Sequence, residues 1–75
     1  MAGAMRSHSR RDVVRLLLFL GFRRSGRNGP HDVFVHADGR LTAVPRHGTI
    51  PAGTCRTIAR QIGMLPQRFD RLVQR

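Results

Sequence analysis

Val13, Leu16, Leu17 and Leu20 fall at i, i+3, i+4 and i+7, and no other feature narrows the possible folds of this chain so far. That spacing lays one apolar stripe along a helix. Ser9, with Asp12 three residues on, resembles a capping box: the hydroxyl meets the Asp12 amide, and the carboxylate suits the positive helix end. Gly21 fits the left-handed residue that stops the helix. Arg10, Arg11 and Arg15 point away from the stripe, as a solvated face.

A helix with one apolar face needs something to bury it against, and the following residues change period. Residues 22–25 are short and extended at best, and residues 26–30, Gly-Arg-Asn-Gly-Pro, are turn chemistry throughout. Residues 31–36 read as a strand around Val33, Phe34 and Val35. Asp38-Gly39 is a hairpin signal, residues 41–44 form the return strand, and Pro45 ends it. With a two-residue loop, opposed residues sum to 77, so that Phe34 faces Ala43, Val33 faces Val44 and His31 faces Arg46. A loop over residues 46–53 leads to Thr54, the expected N-cap of a helix over residues 55–62 that Gly63 terminates. Pro66 opens a last short helix, with Phe69, Leu72 and Val73 as its apolar face.

The order is helix, three antiparallel strands, helix and short C-terminal helix: an α+β fold with the helices gathered on one face of the sheet. This is the general plan of the double-stranded-RNA-binding domain. No repeat or linker divides it, so residues 1–75 are expected to form one domain, with residues 1–8 disordered or left over from an expression vector. A domain this small buries only about 60% of its unfolded surface, so its core is limited.

The charge then selects among functions. Fourteen Arg and no Lys stand against four Asp and no Glu, for a formal net charge of +10. Such an excess calls for a polyanionic partner. Metal-dependent nucleases and phosphatases hold their ions with clustered carboxylates; here only Asp12, Asp32, Asp38 and Asp70 exist, so no metal or other cofactor is expected. No zinc spacing is present among the four His, and one Cys, Cys55, forms no internal disulfide. The apolar stretch at 13–22 is about half the length that a bilayer requires, and Arg23 and Arg24 follow it where a signal peptide has small residues. A cytoplasmic protein without membrane attachment is the expectation.

Proton transfer falls to histidine. His31 stands at the start of a strand near the open end of the hairpin, and His47, Arg24, Arg27 and Arg46 lie on segments that converge there. Arginines hold the scissile phosphate of RNA, while a neutral imidazole takes the proton from a 2′-hydroxyl, a reaction that needs no metal. The blander readings stand beside this. His31 is also readable as a surface residue and His47 as a loop brace. His36 has the opposite strand parity and sits at a turn, and His8 precedes the first helix. Asp32 is expected to pair with a nearby Arg and Asp38 to serve the turn.

Gly29-Pro30-His31-Asp32-Val33-Phe34, Asp38-Gly39-Arg40, Val44-Pro45-Arg46-His47-Gly48 and Gly53-Thr54-Cys55-Arg56-Thr57-Ile58 through Gly63 together resemble the HicA family of toxins, over residues 10–72. The resemblance implies a double-stranded-RNA-binding-like fold and an mRNA interferase, an endoribonuclease that inhibits translation and is blocked by a HicB-type antitoxin. The family's catalytic histidine follows a Gly-Ser or Gly-Thr pair. The matching residue is His31, with Gly29 before it among the substrate-binding residues. Pro30 departs from that pattern, replacing the hydroxyl residue by a ring with neither hydroxyl nor N–H. The alternative reading, a non-catalytic RNA-binding module of the same fold, rests on that departure. A third, action on anionic membranes through the first helix, rests on its basic amphipathic pattern.

Overall fold

The computed structural model describes residues 5–74, and the expectations for residues 1–4 lie outside them. The element order is β1 (His8–Ser9), α1 (Arg10–Phe19), β2 (Arg23–Asn28), β3 (His31–Val35), β4 (Leu41–Pro45), β5 (Thr49–Ile50), α2 (Ala52–Gln61) and α3 (Pro66–Val73). The α+β plan is the expected one, with β2, β3 and β4 as an antiparallel meander in that order.

Helix α1 forms for the reasons its sequence carries. Ser9 caps it, its hydroxyl accepting the Asp12 N–H at 3.1 Å, and Val13, Leu16 and Leu17 are buried. At the other end Gly21 adopts φ +96°. The Phe22 N–H donates to the Leu17 carbonyl at 2.9 Å and the Gly21 N–H to the Leu18 carbonyl at 3.1 Å, a Schellman closure. That closure turns Phe22 into the core, where it is 1% exposed.

Strand β3 alternates, with Asp32 and Phe34 buried and His31, Val33 and Val35 half-exposed. On β4, Thr42 and Val44 share the inward face, opposite Phe34 and Asp32. The core joins these to α1, to Cys55, Ile58, Ala59 and Ile62, and to Phe69 and Val73 of α3.

Five expectations change. The β3–β4 register is His31 to Pro45, Val33 to Ala43 and Phe34 to Thr42, one residue from the predicted pairing. The loop has three residues: the His36 N–H donates to the Arg40 carbonyl and the Gly39 N–H to the His36 carbonyl, both at 2.9 Å, with Gly39 at φ +98°. Asp38 favours this turn by accepting both the Arg40 N–H at 3.0 Å and its guanidinium at 2.9 Å. Strand β2 continues to Asn28, so the predicted turn at 26–30 shrinks to Gly29-Pro30, and the register shift between Arg24 and Gly26 absorbs the irregular composition. Helix α2 starts at Ala52 with Pro51 as N-cap, leaving Thr54 inside the first turn. A small sheet was also missed, His8 pairing with Ile50 and Ser9 with Thr49. Met5, 9% exposed, packs into the core.

Candidate active site and arginine cluster

His31 enters β3 straight from a two-residue turn. Gly29 takes φ +62°, which a side chain resists, and Pro30 fixes its own φ near −65°. The missing Pro30 N–H falls at a turn position of which the ladder asks nothing, and its carbonyl accepts the Arg46 N–H at 3.0 Å. His31 is therefore held between Asn28 and Pro45 by backbone pairing. Its half-buried side chain lines an open groove between the outer face of the sheet, Ala43 and Pro45, and one side of α2, Pro51, Gly53, Thr54, Thr57 and Gln61. Among the described residues nothing bonds to either ring nitrogen. The first turn of α2 carries no side-chain cap, so the N–H groups of a positive helix end border the same groove.

The adjacent residue points the other way, because side chains alternate along a strand. The Asp32 side chain is 5% exposed and gathers three arginines, from α1, β2 and the segment after β4. Arg10 of α1 bonds its carboxylate directly, Arg24 of β2 stands 3.2 Å away, and Arg46 stands 3.9 Å away. Burial opposes the charge. The close ion pair with Arg24, then the charges of Arg46 and Arg10, outweigh it and hold this carboxyl below the usual range. Arg10 also donates from Nε to the Pro45 carbonyl at 3.0 Å. One buried negative charge thus fixes three cations, two of which remain about half exposed, Arg24 at 52% and Arg46 at 45%.

The expected site is thus divided. Arg24 and Arg46 come together as predicted, but on the face opposite His31. The one-residue register difference replaces the imidazole–guanidinium pair with His31 against Pro45. Arg27 and His47 are exposed, and Arg27 pairs with Asp32 in the ladder. Arg10 was read as solvated and is instead part of the cluster. Its signal was indirect: a lone Asp between inward-facing apolar residues needs countercharge. Thr54, Thr57 and Gln61 were also missed as groove residues, since their i, i+3, i+7 spacing becomes visible only once α2 starts at Ala52.

The remaining histidines are structural. His36 Nδ1 accepts the Asp38 N–H at 3.1 Å, and its ring meets Phe22 edge-on at 5.0 Å. His8 donates from Nε2 to Asp70 at 2.7 Å, tying the N-terminal strand to α3. No group of three or more His, Cys, Asp or Glu among the described residues is placed to hold a metal ion. No helix among them is long and apolar enough to cross a membrane.

Comparison with known proteins agrees with this architecture. A family model described as the HicA toxin of bacterial toxin–antitoxin matches residues 10–64, a span from the first turn of α1 to the end of the α2 closure. A search of curated proteins returned no match.

Proposed function

The chain belongs to the HicA toxin family, and from that premise we propose that it is a metal-independent endoribonuclease that cuts mRNA in the cytoplasm. A HicB-type antitoxin holds it in check. The observation that carries this reading is the His31 ring, half-buried in a groove with neither nitrogen bonded among the described residues, beside a helix N-terminus without a side-chain cap.

The steps follow from those groups. Neutral His31 accepts the proton of an RNA 2′-hydroxyl, and the freed oxygen forms a bond to the adjacent phosphorus. The bond from phosphorus to the 5′-oxygen breaks, that oxygen takes a proton from water as it leaves, and His31 returns the proton it accepted to solvent. The products are a 2′,3′-cyclic phosphate and a 5′-hydroxyl. The backbone N–H groups of the α2 first turn suit the charge that grows on the phosphoryl oxygens. Arg24 and Arg46, with Arg27 and His47 nearby in sequence and both exposed, hold neighbouring phosphates. Gly29 keeps the chain close enough to its ligand by lacking a side chain.

Pro30 supports a second reading, an RNA-binding module without cleavage, because the hydroxyl usual in the family is absent there. The turn geometry weighs against it: Pro30 costs no ladder hydrogen bond and leaves His31 in place. The deciding experiment is cleavage of a long RNA in excess EDTA by wild type and His31→Ala. The expected result is cutting by wild type, cyclic-phosphate ends, and a loss of at least about a hundredfold in the variant, the usual share of a general base. Equal cutting by both would refute the role of His31. Intact RNA after long incubation, with tight binding, would favour the module.

A further inference from the structure

The groove that holds His31 continues along α2, and its far wall carries polar atoms that the cleavage chemistry leaves unused. Gln61 lies four residues beyond Thr57, so the two share one helical stripe, and both line the groove with His31, Ala43 and Pro45. The Gln61 amide is oriented. Its Oε1 accepts the Thr42 hydroxyl at 2.7 Å, and Thr42 is 0% exposed, where an unmatched hydroxyl costs stability. With that oxygen committed inward, the amide nitrogen keeps two N–H donors that nothing among the described residues accepts.

Thr57 is committed in the complementary sense. Its hydroxyl donates to the Gly53 carbonyl at 3.2 Å, which leaves the oxygen's lone pairs to face a ligand. Besides His31, the sheet residues lining the groove are the apolar Ala43 and Pro45. An oriented donor, an acceptor one turn away and an apolar floor match an unstacked nucleobase, which has a polar edge and a flat hydrophobic face.

We infer that this end of the groove is a base-reading subsite, in which Gln61 donates to an acceptor on a nucleobase of single-stranded RNA next to the scissile phosphate, and Thr57 Oγ1 accepts a base N–H. Thr42 is the positioning residue, since it decides which end of the Gln61 amide faces the ligand. The subsite rests on the RNA reading of the preceding section for its ligand class. It adds that the toxin selects where it binds, by one base.

The test is a binding measurement, so it is decided whether or not the wild type cuts. Four pentanucleotides, uridines with one varied central base, are titrated by fluorescence anisotropy in EDTA against the full chain carrying His31→Ala. The expected ranking spans roughly tenfold between the best and worst base, the size of one good base contact. Adding Gln61→Ala, or Gln61→Glu, which keeps an acceptor for Thr42 but removes both donors, collapses the ranking to within about twofold. Adding Thr42→Val, which removes the hydroxyl that orients the Gln61 amide although Thr42 itself does not line the groove, erodes the ranking while a melting curve verifies the fold. Equal affinity for all four RNAs in the His31→Ala background, or an unchanged ranking after either Gln61 substitution, overturns the subsite. Neither result bears on cleavage, which wild type and His31→Ala decide separately.

Discussion

Phe69→Ala tests whether α3 belongs to the cooperative unit of a toxin whose family match stops at residue 64. Phe69 is 0% exposed, and the His8 ring packs edge-on against it at 6.1 Å. Removing a fully buried aromatic ring costs about 3–5 kcal/mol, transfer and cavity together. A chain of 75 residues has a total stability of about 4–11 kcal/mol at ordinary values per residue. The variant therefore loses a large share of what there is. In a domain of this size each kcal/mol moves the melting midpoint by roughly 4–8 °C, so a fall of at least about 12 °C is expected. Circular dichroism at the helix band, read against temperature and against urea, measures it. Leu65→Ala is the control: that side chain is 72% exposed and should change stability by no more than about 0.5 kcal/mol. A shift below about 4 °C for Phe69→Ala would refute the reasoning and leave α3 an appendage on a core that is complete without it.

The other expectations concern charge and the thiol. Asp32 and Asp38 have carboxyl groups held below their usual range. Their contribution is complete above about pH 4, where unfolded carboxyls titrate, and is lost as pH falls through the lower folded values. Melting midpoints from pH 6 to 2 should drop only below about pH 4; a flat profile would contradict the pairing. Asp32→Asn raises the formal net charge by one from +10, yet it should weaken RNA binding, because Arg10, Arg24 and Arg46 lose their anchor; tighter binding in a filter assay would show mere neutralisation. Replacing Arg24 and Arg46 together by Ala should reduce the slope of log K against log salt by about 1.4, or 0.7 per single-strand phosphate. A slope that stays put would remove them from the interface. Burial pushes the Cys55 thiol up to about 11, so at pH 8 about one molecule in a thousand is thiolate, and labelling by a disulfide reagent should be as slow as unfolding. Immediate labelling of native protein would place Cys55 nearer the surface than its 0% exposure.

Much of the fold was legible because local chemistry and tertiary packing agree. Ser9, the stripe from Val13 to Leu20 and Gly21 specify a helix that the structure repeats almost residue for residue. Pro66 opens α3 for the same reason. The elements that escaped are those with no local signature. Strands β1 and β5 have two residues each, and each exists only because the other does. Residues 5–8 look loose in sequence, and His8 is held by partners far along the chain, Ile50, Phe69 and Asp70.

The sequence named His31, Arg24 and Arg46 but not Arg10 or the α2 residues of the groove, and it misread the arrangement because of a single residue. Asp38-Gly39 is compatible with a two-residue and a three-residue hairpin loop, and the choice depends on how Gly39 and Asp38 bond locally. A strand has period two, so moving the register by one residue exchanges the faces. The three-residue loop sets Asp32 against Val44 and Arg46 one step beyond Pro45. That step sends Arg46 to the inner face and leaves His31 on the outer one, in the groove that one side of α2 borders. The separation is chemically useful. Guanidinium groups within bonding distance of the imidazole would compete with the 2′-hydroxyl for its lone pair. In the proposed reaction, arginines set across the sheet edge would hold flanking phosphates while the ring stays open to the proton of the 2′-hydroxyl. Asp32 binds the three arginines, and in the proposed reaction that would keep them from the phosphate at His31. The deepest acidic residue of this basic chain is therefore the one that keeps its histidine available.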